Sequence, residues 1–199
     1  MQNKGIQPSR LLKLVVLALM GTISFVLFFL NFPVPLLPTP YLKIDFSEVP
    51  ALIAALIFSP VAGVIVEAVK NLLYLAVSGS GDPIGVTANF VAGVMFIYPV
   101  ALLYHKFKGL KGLVFGLITG TVIMTIGMSV LNFYVILPVY AWFLGLPEMA
   151  ETSAKTFAVF AGVLPFNMIK GIVVGLLFIP LFVKMKVWIE QQQSKFAAD

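Results

Sequence analysis

"LPFNMIKGIVVGLLFIPLF" occupies residues 164–182. It reads as a membrane helix, because a span needs about 20 predominantly apolar residues. Two positions near its start break that pattern, Asn167 and Lys170. A lysine at the centre of such a helix costs about 2.5–3.5 kcal/mol on insertion scales. Residues of this kind therefore mark a pathway or a ligand site, unless the lysine snorkels to an interface. Their i, i+3 spacing puts both on one helical face.

The rest of the chain agrees with a membrane reading. Of 199 residues, 60% are hydrophobic and only 11% charged, with a mean hydropathy of +1.05. A soluble domain of this length has too little interior to hide so much apolar surface. The fold class is an all-α integral membrane protein. The absence of cysteine excludes disulfides, thiol catalysis and thiolate metal sites. The net charge of +5 lies between apolar runs rather than along one stripe, so no nucleic-acid partner is expected. The first apolar run, 11–30, is too long for a signal-peptide core and lacks a small-residue cleavage site, so it is expected to be retained.

Spans are predicted near 10–31, 60–78, 84–105, 109–141 and 157–184. The apolar segment "SEVPALIAALIF" (47–58) is too short to span, and Pro60 is placed to start the next helix. The result is one six-helix domain over 1–199, with a short second helix and an unusually long fifth. With the N-terminus inside, cytoplasmic segments hold Lys4, Arg10, Lys13, Lys106, Lys108, Lys111, Lys184, Lys186 and Lys195. External connections hold only Lys43 and Lys155. That bias puts both termini in the cytoplasm of a multi-pass protein.

Two external connections stand out. "NFPVPLLPTPYLKIDFSE" (31–48) has prolines at 33, 35, 38 and 40, so it runs extended, and it is apolar enough to pack on protein. "SGSGDPIG" (78–85) is a turn ending at a helix-starting proline. Non-helical backbone at membrane depth is tolerated where it lines a cavity or is buried. Loop 32–47 is therefore expected to act as a lid and 78–85 as a rim. No internal repeat points to an inverted-repeat transporter.

The polar residues within spans are Glu67, Lys70, Asn71, Asn89, Asn132, Asn167 and Lys170. The inferred topology puts Asn71, Asn89, Asn132, Asn167 and Lys170 in the outer half of the bilayer, a pocket opening outward. Glu67 and Lys70 also fit a plain internal ion pair, and Asn89 fits an interhelical hydrogen bond. Asn132, Asn167 and Lys170 offer amide donors, amide acceptors and an ammonium, with no acid beside them on the last two helices. Such a set suits a planar neutral ligand rich in carbonyl and imide groups. Asp45, Glu48 and Asp82 are expected near the mouth, where they would repel a phosphate.

Catalytic signatures are missing. There is no HExxH, G-x-S-x-G or Walker A sequence, and the acids within the spans reduce to Glu67, which gives an ion pathway little support. His105 lies at a helix end among lysines, where compensating the helix dipole is the simple reading. The series Gly112, Gly116, Gly120 and the pair Gly171, Gly175 allow close helix packing. On the first helix Ala18, Gly21 and Thr22 form a small-residue face suited to docking a partner helix.

"YLKIDFSEVPALIA" (41–54), "EAVKNLLY" (67–74) and "PFNMIKG" (165–171) together resemble the riboflavin-binding S component of bacterial energy-coupling factor transporters. The resemblance spans nearly the whole chain. It implies six helices, one vitamin bound near the outer face of the bacterial cell membrane, and a loop between the first two helices closing over it. It implies that Asn132, Asn167 and Lys170 hydrogen-bond the isoalloxazine ring, with Tyr41, Lys43, Asp45, Glu48, Asn71, Asn89 and Gly85 completing the site. It further implies a membrane coupling protein and two cytoplasmic ATPases as partners, with riboflavin as cargo and no cofactor, metal or catalytic residue. The family's alanine-xxx-alanine docking face on the first helix is here Ala18-xxx-Thr22. An S component for another vitamin, and a small membrane enzyme acting on a lipid-linked substrate, remain the alternatives.

Overall fold

Apolar runs of membrane length become helices, and the breaks fall where backbone chemistry demands them. The computed structural model describes residues 10–35, 37–77 and 82–196. Helix α1 spans Arg10–Phe28, α2 Glu48–Ile57, α3 Pro60–Val77 and α4 Pro83–Phe107. Helix α5 spans Gly109–Leu144 and α6 Thr152–Phe196, each with a π-helical turn inside it. All but α2 are long and apolar enough to cross a membrane. The expected six-helix fold with a short second helix is present. Residues 78–81 of the expected rim, Leu36 of the expected lid, and Lys4 lie outside the described residues.

Local chemistry explains the boundaries. Pro60 and Pro83 sit at helix starts, where a missing N–H costs nothing. The Asp82 carboxylate caps α4 by accepting from the Gly85 N–H at 2.8 Å. The α4–α5 turn needs left-handed backbone at Lys108 and Gly109, and α5 stops at Gly145 with φ of 67°.

Helix α2 has 10 residues and so covers about 15 Å, half a bilayer core. Its residues are almost all buried. The loop before it therefore reaches into the bundle and delivers Glu48 deep among the other helices. At the far end α6 continues past the expected limit of 184. There Phe196 meets Phe58 edge-on at 4.7 Å, and Gln193 donates to Leu56 O at 2.6 Å. The His105 ring, half-buried, lies 2.9 Å from Ala55 O; a carbonyl can only accept, so Nε2 carries the proton. From the last turn of α4, His105 thus also serves a C-terminal carbonyl of α2.

The glycine series packs α5 on α4. A Cβ at Gly116 would lie 2.7 Å from the Val100 carbonyl oxygen, and main chain cannot swing aside as a side chain can. We expect Gly116→Val to destabilise by about 1–3 kcal/mol through overpacking. Thermal denaturation in detergent checks this, and an unchanged melting temperature would mean that the helices part freely.

Candidate functional site

The site begins with the loop between α1 and α2. Phe32–Pro33 (β1) pairs antiparallel with Lys43–Ile44 (β2), Phe32 opposite Ile44 and Pro33 opposite Lys43. The proline-rich segment between them thus folds back as a short ribbon. Ile44 is buried on its inner side while Tyr41 and Lys43 stay exposed. Thr39 packs so closely on Gly162 of α6 that a Cβ there would force its side chain to shift. The loop is therefore seated on α6, and Asp45, Ser47 and Glu48 pass inward beyond it.

Lys170 meets this inward segment. Its ammonium lies 2.5 Å from Glu48 Oε1 and 3.8 Å from Asp45 Oδ2, all three residues being buried. Its counter-charges thus come from the loop and α2 rather than from the last two helices, where no acid is expected beside it. The same contacts correct the expectation of a negative mouth: Asp45 and Glu48 are each 1% exposed and already face a cation. Of the three acids only Asp82 is exposed. Burial pushes the Asp45 carboxyl above its ordinary range, the Glu48 charge adding to this and Lys170 opposing it.

Asn132 and Asn167 are buried on α5 and α6. Each uses one amide N–H on its own helix, donating to Met128 O and Val163 O at 2.8 Å. An amide has two N–H groups and a carbonyl, so each keeps one donor and one acceptor uncommitted among the described residues. Both lie beside π-helical turns, Asn132–Ile136 in α5 and Ala158–Val163 in α6, and these turns touch each other. Such turns widen a helix locally and recur at functional sites. Pro138 and Pro165 each follow one by two residues. Proline cannot donate to the carbonyl four residues back, and the widened turn absorbs that break. Proline alone does not signal such turns in the sequence, since Pro99 and Pro180 sit inside α4 and α6 without one.

Other expected contributors sit on α3 and α4. Asn71 is buried on α3, donating to Glu67 O at 2.8 Å, and borders a 240 Å³ cleft between α3 and α4. Asn89 is half-buried on α4 and makes no hydrogen bond among the described residues. Gly85 lies where a Cβ would strike both Asp82 and the Tyr140 hydroxyl. That hydroxyl donates to the Asp82 carboxylate at 2.6 Å and ties α4 to α5 above a 400 Å³ apolar cleft. Thr39 was missed: its hydroxyl is buried and without a partner among the described residues, as is Glu48 Oε2. On α1, Gly21 is buried against Val69 and cannot belong to an exposed docking face, whereas Ala18 and Thr22 are exposed.

Fold and site together define a helical membrane protein with buried amides and an ion-paired lysine beneath a seated loop. Residues 12–182 match the family described as the substrate-specific component of ECF transporters, and the chain belongs to that family. It is 55% identical over 184 residues to the riboflavin transporter FmnP of Bacillus subtilis, covering 92% of this chain and 96% of that protein. It is 44% identical to the riboflavin transporter RibU of Staphylococcus aureus, covering 85% and 88%. A solved S component of a bacterial ECF transporter superposes with a TM-score of 0.76 at 41% identity, over 91% of this chain and 99% of that one. The chain is a transporter component, not an enzyme.

Proposed function

We propose that this chain captures riboflavin at the outer face of a bacterial cell membrane and hands it inward within an ECF transporter. The observation that carries the ligand is the pair of half-committed amides, Asn132 and Asn167, the second of them one turn from Lys170 on α6, in a chain 55% identical to a riboflavin transporter. Flavin's pyrimidine edge alternates carbonyl and imide groups, and each amide retains one donor and one acceptor for it. Glu48 Oε2 and Thr39 Oγ1, buried without partners among the described residues, are acceptors suited to the ribityl hydroxyls. Loop 32–47 is the lid over this site, with Tyr41 and Lys43 on its exposed side.

The loop end of the bundle faces outside and both termini lie in the cytoplasm, which follows from the lysine distribution. Membership of the ECF family supports an energy supply from two cytoplasmic ATPases acting through a membrane coupling protein, in keeping with a chain that has no Walker A sequence. Ala18 and Thr22 are the face for that coupling protein.

Colour is the direct test. Protein purified from cells grown with riboflavin should be yellow and release riboflavin on denaturation. A colourless preparation whose added riboflavin keeps its full fluorescence would favour another vitamin.

A further inference from the structure

Lys70 is fully buried in the middle of α3. Its ammonium pairs with Glu67 at 2.7 Å, and Glu67 in turn packs where Gly93 of α4 has no side chain. The same ammonium donates to Ser47 Oγ at 3.0 Å and lies 5.4 Å from the Phe28 ring of α1. Ser47 is held from three sides at once. Its hydroxyl receives Lys70, its carbonyl receives the Ser24 hydroxyl of α1, and its N–H donates to Asp45 Oδ1 at 2.8 Å. Asp45 then faces Lys170.

A simple internal ion pair accounts for Glu67 and Lys70 but not for the bond to Ser47. That bond reaches the last residue before α2, the point where the lid enters the bundle. We propose that Lys70 is a positioning residue for the vitamin site, clamping the inner end of the lid through Ser47 so that Asp45 and Glu48 meet Lys170. The proposal rests on the riboflavin reading. Lys70 touches none of the groups assigned to the vitamin, so its effect passes through the lid.

Two variants separate this role from a structural one. Glu67→Gln with Lys70→Met removes both charges of the pair together and so leaves no unpaired buried ion. Ser47→Ala keeps the ion pair and removes only the hydroxyl that Lys70 holds. Riboflavin dissociation is followed by recovery of flavin fluorescence, and the ligand-free melting temperature is measured alongside. Each variant is expected to release riboflavin at least about tenfold faster, with the ligand-free melting temperature of Ser47→Ala close to the parent's. Parental dissociation rates would overturn the proposal and leave the riboflavin reading intact. If the double variant does not fold, Ser47→Ala decides by the same rate. A parent chain that binds no riboflavin would overturn the underlying reading and this inference with it.

Discussion

Lys170→Met should abolish most riboflavin binding and also destabilise the protein, whereas Asn167→Leu should weaken binding alone. The two differ because of what each side chain leaves behind. Lys170 faces Glu48 at 2.5 Å and Asp45 at 3.8 Å, both carboxylates buried. Removing one partner of a buried ion pair costs about 3–5 kcal/mol, since the other charge stays unpaired in low dielectric. Asn167 carries no charge and its loss leaves only one side-chain bond to the Val163 carbonyl unmade, so the fold loses little. Its loss from the ligand costs about 1–3 kcal/mol, or roughly five- to 150-fold in affinity. Flavin fluorescence quenching measures the affinity and thermal denaturation the stability. Adding Glu48→Gln to Lys170→Met should recover part of the melting temperature and none of the binding. Parental affinity in both single variants would remove these residues from the site.

What sequence reading delivers here follows from which interactions are local. The five spans, the short α2 and the proline-started helices rest on run length and on proline's missing N–H, both visible in one segment at a time. The i, i+3 placement of Asn167 and Lys170 is equally local, and so is the Glu67–Lys70 pair. The partners of Lys170 are not. Asp45 and Glu48 reach it only because the loop enters the bundle, and nothing near Lys170 in the chain encodes that approach. The same non-locality takes Asp45 and Glu48 from a supposed acidic mouth into a buried, compensated cluster, leaving only Asp82 of the three acids exposed. The π-helical turns escape a period-based reading because a single extra residue shifts the apolar face without interrupting it. Gly21 misleads for a related reason: small residues mark close packing, and composition cannot say whether the close neighbour is a partner protein or α3.

That last distinction sets up the second large effect, on transport rather than binding. Ala18 and Thr22 lie one turn apart on the exposed side of α1, and the Thr22 hydroxyl donates to Ala18 O at 3.0 Å. The hydroxyl is thus satisfied within the helix, leaving a shallow, largely apolar face against which another helix can pack closely. Ala18→Trp fills that face. It should leave riboflavin affinity in detergent unchanged, because the loop, Asn132, Asn167 and Lys170 belong to other elements. Uptake by cells carrying the coupling protein and ATPases should fall to background if this is the docking face proposed above, since the added bulk would hold the coupling protein off. Gly21→Trp is the contrasting variant: even a Cβ there would run into the Val69 side chain, so it should impair folding and binding together. Normal uptake by Ala18→Trp would mean that this face meets lipid and that the coupling protein engages the chain elsewhere.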